Sequence, residues 1–279
     1  MHILHPDGTR LGATIMRAHS DNWVVIGGAT AVPHAYYKRL AQWLAENHNV
    51  NVLTFDYRGI GASKDKSLRR MDAGFRDWAS DLECAIEHAA DRGPTVVIGH
   101  SFGGHAFGMT EAHKRTLGLY TFATGVGYHG YMPKGEAARV WFLWNVVAPP
   151  LVAWKGYLPF SKVGMGEDLP LGVYSDWKKW CSTPNYFFDD SEAEFRSNFS
   201  NVTAPVVSVN STDDAWAPPR SARAFISHYP NHEVISVSPR EIGAKKIGHM
   251  AYVRPSCKPL WVNAGRWIDE RIASVSETG

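Results

Sequence analysis

Thr95-Val96-Val97-Ile98-Gly99-His100-Ser101-Phe102-Gly103-Gly104-His105-Ala106 is the stretch that decides the fold. Its first four residues are β-branched, as in a buried strand, and from Gly104 to Met109 the chain reads as a helix. A strand, then Gly-x-Ser-x-Gly, then a helix predicts a sharp turn that lifts the Ser101 hydroxyl clear of a sheet. Such a turn holds the serine in a strained backbone conformation. A β-carbon at Gly99 or Gly103 would collide with the neighbouring strand or helix. Ser101 is therefore the candidate nucleophile.

Outward from this turn, short apolar strands alternate with helices. Asp7-Gly8 marks a turn before a strand near Arg10 to Arg17, and Trp23 to Ile26 is an apolar strand ending in Gly27-Gly28. A helix from about His34 to Glu46 places Tyr37, Leu40, Ala41 and Leu44 on one face, followed by a strand from Val50 to Phe55. A helix from about Phe75 to Ala90 precedes the Ser101 strand, and a strand from Leu117 to Phe122 follows its helix. The rhythm resumes with a strand from Val206, a helix near Ser221 to His228, a strand from Glu233 to Val237, and a last helix near Pro259 to Ala273. This alternation predicts an α/β fold with a mostly parallel sheet covered on both faces.

Between about Gly125 and Phe199 the alternation stops and aromatics accumulate, among them Trp141, Trp144, Trp177 and Trp180. A segment this long is not a bare loop in a compact domain, so it reads as a helical cap packed over the sheet. The chain thus divides into a first core part (1–124), a cap insertion (125–199) and a second core part (200–279).

The composition fits a soluble globular protein: 279 residues, 44% hydrophobic and 20% charged. Lys and Arg number 29 against 27 Asp and Glu, too even a balance for a nucleic-acid partner. Three widely spaced cysteines read as free thiols in a reducing compartment. The apolar run from Val140 to Trp154 is too short to span a bilayer and is broken by Pro149-Pro150. With no basic or apolar leader at the N-terminus, a cytoplasmic address is the default, and a homodimer is an allowed assembly.

A serine hydroxyl needs a base within hydrogen-bond reach and a group to orient that base. Past the strand at Val206 come Asp213 and Asp214, at the carboxyl end of a strand where such a carboxylate belongs. Asp214, four residues before Pro218, is favoured over Asp213. His249 occupies the loop after the last strand, whereas His228 falls on a helix and His232 at a strand start. His249 is therefore the candidate base. Two N–H donors are needed for an oxyanion: Phe102, which follows the nucleophile, and Ala29 or Thr30 in the turn after Gly27-Gly28. Trp141, Trp144 and Trp216 are candidate walls of a substrate pocket. His100 and His105 read as packing or hydrogen-bonding residues. Asp56 and Arg58 read as pins for the loop after their strand. No metal-binding pattern is present, and no cofactor is expected.

Through Gly99-His100-Ser101-Phe102-Gly103, Asp56-Tyr57-Arg58-Gly59-Ile60-Gly61-Ala62-Ser63, Asp214 with Pro218, and Gly248-His249, the chain resembles the α/β-hydrolase superfamily over nearly its whole length. It is also similar to a bacterial group of predicted α/β hydrolases with a Trp-rich cap, through Gly164 to Pro170 and Trp177 to Cys181. The resemblance implies an eight-stranded, mostly parallel sheet and a Ser101/Asp214/His249 triad. The superfamily's usual His-Gly before the oxyanion loop is replaced here by Gly27-Gly28. The expected activity is hydrolysis of a carboxylic ester with a small or medium apolar acyl group. Rivals on the same machinery are an acyltransferase and an amidase or peptidase, the latter with Glu167 or Asp168 receiving a free amine. A non-catalytic ligand-binding protein is the rival of a different class.

Overall fold

A computed structural model of the protein describes residues 1–276. Eight strands form one sheet: β1 (His2–Leu4), β2 (Arg10–Met16), β3 (Trp23–Gly27), β4 (Asn51–Phe55), β5 (Thr95–His100), β6 (Leu119–Phe122), β7 (Val206–Ser211) and β8 (His232–Val237). Their spatial order is β1-β2-β4-β3-β5-β6-β7-β8. Only β1 with β2 and β2 with β4 pair antiparallel; from β4 to β8 every neighbour is parallel. The expected α/β-hydrolase architecture is the one observed.

The strands β3, β4 and β5 are buried along their full length, as parallel strands covered on both faces must be. Alternate side chains serve opposite layers. Val25, Leu53 and Val97 face helices α2 (Phe75–Ala90) and α3 (Phe102–Met109), while Val24, Val52 and Val96 face α1 (Lys38–His48) and α8 (Lys258–Ser276). The helix expected from His34 is divided. Pro33 precedes a 3₁₀ turn over His34–Tyr37, and α1 then runs until Asn49 ends it in the left-handed region at φ 48°.

The loop after β4 is pinned as expected. Asp56 accepts the His34 N–H at 2.6 Å, the His34 ring Nδ1–H at 2.7 Å and the Ala62 N–H at 2.8 Å. Arg58 donates to fully buried Asp81 through Nε at 2.9 Å and Nη2 at 2.6 Å, and to Asp7 through Nη1 at 2.9 Å.

Between β6 and β7 lie α4 (Lys134–Phe142), a π turn (Leu143–Val147), α5 (Ala148–Lys155) and α6 (Leu171–Cys181), linked and flanked by short 3₁₀ turns and loops. The π turn has a local cause. Pro149 and Pro150 cannot donate to the preceding turn, and the Ala148 N–H reaches back to Leu143 instead. Aromatic packing joins this segment to the Ser101 turn: Phe75 stacks on Phe102 at 4.3 Å and on Trp180 at 5.5 Å between ring centroids. Helix α7 (Pro219–Ile226) covers β7 and β8.

Candidate active site

The link between β5 and α3 is a single residue. Ser101 adopts φ 52°, ψ −110°, a backbone conformation that L-residues rarely occupy. The glycines around it are sterically required. A β-carbon on Gly103 would lie 2.1 Å from the Gly27 carbonyl oxygen, and one on Gly99 would lie 2.6 Å from the Gly104 nitrogen. No side chain fits at either position.

Three side chains from distant parts of the chain meet at the carboxyl edge of the sheet. Ser101 Oγ is 3.0 Å from His249 Nε2, and His249 Nδ1 lies 3.1 and 3.0 Å from the two Asp214 oxygens. Asp214 Oδ1 also accepts the N–H groups of Trp216 and Ala217, each at 2.9 Å. Burial pushes the Asp214 carboxyl up. The His249 imidazole beside it and the Ala217 and Trp216 N–H groups outweigh that push and hold it below its ordinary value. An ionised Asp214 requires the proton on Nδ1, which leaves Nε2 free to accept the hydroxyl proton.

Asp213 faces a different way. It accepts the N–H groups of Gly248 at 2.8 Å and Ile247 at 3.1 Å, so it fixes the loop that carries His249 and does not touch the ring. The two adjacent carboxylates divide the work: one orients the imidazole, the other its backbone.

A second chain of hydrogen bonds runs beneath the site. A carbonyl can only accept, so His100 Nε2 donates to the His249 carbonyl at 2.9 Å. His100 Nδ1 must then accept, from the Tyr37 hydroxyl at 2.8 Å, and the Tyr37 oxygen accepts the Ala29 N–H at 2.7 Å. This order corrects one expectation. The Ala29 N–H is already engaged, so of the two residues expected in that turn only Thr30 keeps a donor. The N–H groups of Phe102 and Thr30 have no acceptor among the described residues, and both residues line the recess at Ser101.

Burial lowers the His100 and His105 imidazoles from 6.5 to about 4, so both are neutral at pH 7. In the unfolded chain they regain their ordinary value, so between these limits the unfolded state binds more protons. Stability from this source is complete above pH 6.5 and is lost as pH falls towards 4. The urea midpoint should accordingly be lower at about pH 5 than at about pH 7.5. Equal midpoints would contradict the burial of neutral imidazoles.

A cavity of about 440 Å³ opens on Ser101 and His249, walled by Ala29 to Pro33, Tyr36, Phe160, Gly164 to Gly166, Trp177, Trp216 and Met250. Among the described residues no Asp, Glu, Lys or Arg lines it. Of the three candidate wall tryptophans, Trp216 lines this cavity. Trp141 and Trp144 do not: both line a separate groove, where Trp141 is half exposed and Trp144 is buried. Tyr36, Phe160 and Trp177 are wall residues that the sequence reading missed; Trp177 alone carried a signal, through its helical spacing with Trp180. The helical segment also braces the turn after β3, because the Glu167 N–H donates to the Ala31 carbonyl at 2.9 Å.

Comparison with known proteins follows the same lines. The structure superposes on a thermophilic esterase from Thermogutta terrifontis with a TM-score of 0.63 and 16% identity, covering 97% of this chain and 98% of that one. A monoacylglycerol lipase from Paleococcus ferrophilus gives 0.62 and 16%, covering 94% and 99%. A proline iminopeptidase from Mycobacterium smegmatis gives 0.64 and 13%, covering 99% of each chain. At these identities the likeness is one of fold. No curated protein matches the sequence. Residues 19–255 match the alpha/beta hydrolase family, more than half of the sequence. The chain belongs to the alpha/beta hydrolase family.

Proposed function

We propose that the protein is a serine hydrolase that cleaves carboxylic esters of small or medium apolar acyl groups through an acyl-enzyme on Ser101. The observation that carries this reading is the hydroxyl–imidazole–carboxylate chain opening into an uncharged cavity. Ser101 Oγ attacks the ester carbonyl while His249 Nε2 takes its proton. Negative charge gathers on the carbonyl oxygen, within reach of the Phe102 and Thr30 N–H groups. His249 then returns the proton to the departing alkoxide, which leaves as an alcohol. A water molecule, losing its proton to the same imidazole, attacks the acyl carbonyl. Breaking the bond to Oγ releases the carboxylic acid and restores Ser101. Asp214 stays ionised throughout and stabilises the imidazolium.

A peptidase that binds a free amine needs a carboxylate in the cavity, and the two candidates are committed elsewhere. Glu167 pairs with Lys64, and Asp168 accepts the Ser161 N–H at 2.9 Å. Neither lines the cavity. This favours an ester of an uncharged acyl group over the substrate of an aminopeptidase. The helical segment between β6 and β7 acts as a cap in this reading, supplying Phe160, Met165 and Trp177 to the substrate wall.

A fluorophosphonate probe should label the wild-type protein and leave Ser101→Ala unlabelled. Labelling that persists in the variant, or none in the wild type, overturns the proposal. With p-nitrophenyl esters of rising acyl length, kcat/KM should climb by up to about fourfold per methylene until the cavity fills, since burying each CH₂ is worth about 0.8 kcal/mol. A flat response would exclude an apolar acyl site.

A further inference from the structure

The apolar run from Val140 to Trp154 contains one polar side chain, Asn145, and no charge, yet only one side of it is packed. Val140, Leu143, Trp144 and Ala148 are buried. On the other side Trp141 and Phe142 are each 53% exposed, Val146 46% and Trp154 69%. A surface helix ordinarily turns polar groups to water. This one turns a strip of aromatic and aliphatic side chains outward, and contiguous exposed apolar area of this kind marks a contact surface.

The charges around the strip indicate what it contacts. Lys134 begins the helical run and Lys155 ends it, the Lys155 ammonium lying 4.0 Å from the centroid of the Trp154 ring. Lys178 shares a groove with Trp141 and Asn145. None of these three lysines has a carboxylate partner among the described residues. The acidic residue on α4, Glu136, is taken by Arg139. A second copy docked on this strip would bring like charges together. A surface that is apolar beneath and anionic on top complements both features.

We propose that the strip lies on a lipid bilayer bearing anionic headgroups and so brings the Ser101 cavity to apolar esters dissolved there. The link to substrate rests on the serine-hydrolase reading. Tryptophans at both ends of the strip suit the headgroup level, and lysine stems reach outward to phosphate. Pro149 and Pro150 offer no N–H to the preceding turn, an interruption that suits the hydrated interface better than the hydrocarbon core. Among the described residues no helix is long and apolar enough to cross a membrane, so the segment lies along the surface. The helix that opens the strip reaches the cavity through the residue just before it: an Arg139 guanidinium nitrogen is 3.8 Å from the sulfur of Met165, which lines the cavity wall.

The test is sedimentation of the full chain with vesicles of phosphatidylcholine containing roughly 30% phosphatidylglycerol. Wild type should pellet with them, less so at high salt. A variant combining Phe142→Ser, Val146→Ser and Trp154→Ser should bind at least about tenfold more weakly, with unchanged circular dichroism and unchanged fluorophosphonate labelling. No pelleting of the wild type, or equal pelleting of the variant, overturns the proposal. So does sedimentation velocity showing a wild-type dimer that the variant dissociates, which would assign the strip to a second copy. Binding is read without turnover. A protein that binds through the strip but resists the probe upholds the lipid surface and sinks only the hydrolase reading.

Discussion

Replacing Asp214 by asparagine is expected to lower kcat for an ester substrate by about four orders of magnitude while leaving the fold intact. The size of the loss follows from the local hydrogen bonds. Asp214 Oδ1 accepts two backbone N–H groups, from Trp216 and Ala217, so an asparagine there keeps its carbonyl oxygen in that position. Its amide nitrogen then replaces Oδ2 and points a donor at His249 Nδ1, which lies 3.0 Å away. Two donors cannot face each other. The imidazole must move its proton to Nε2, where it can no longer accept from Ser101. Asp213→Asn supplies the contrast: it loosens the Gly248 and Ile247 tethers without touching the ring, and about tenfold or less is expected. Steady-state kinetics on a p-nitrophenyl ester, with circular dichroism on both variants, measures the difference. A Asp214→Asn rate within tenfold of wild type, or equal losses in the two variants, would refute the assignment of Asp214 as the orienting acid.

The second large effect falls on stability. Arg58→Ala should cost about 3–5 kcal/mol and lower Tm by roughly 10 °C. Asp81 is fully buried, and its carboxylate receives the Arg58 backbone N–H at 2.8 Å as well as the two guanidinium contacts. Burial pushes the Asp81 carboxyl up against the opposing pull of Arg58. Removing the cation leaves that group without its counter-charge in the interior. The substitution also frees Asp7, which ties the β1–β2 turn to the loop after β4. A thermal melt compares the variant with wild type. A loss below about 1 kcal/mol would place this pair among ordinary surface ion pairs.

Much of this architecture was legible because buried parallel strands need unbroken β-branched and apolar runs, which Thr95 to Ile98 and Val52 to Phe55 supply. The elbow was legible because its glycines answer to contacts under 3 Å that no other residue tolerates. Asp214 and His249 could be singled out by their places after strands, and the fold brings both beside Ser101. Local spacing could not say where a helix turns its aromatics. Trp141 and Trp144, three residues apart, should share a helix face. They do line one groove, yet Trp141 is half exposed while Trp144 is buried beside Phe160 and Trp177. Nor could the sequence announce that a tyrosine hydroxyl eight residues along would occupy the Ala29 N–H. That contact exists only once α1 packs against the sheet.

The twisted backbone at residue 101 is imposed by the surrounding scaffold, since a conformation of this kind costs on the order of 1–3 kcal/mol. Nothing within the serine itself maintains it; packing of β5 against β3 and of α3 against both supplies the restraint. Substitutions that thin this packing should therefore let residue 101 relax and carry its hydroxyl away from His249 Nε2.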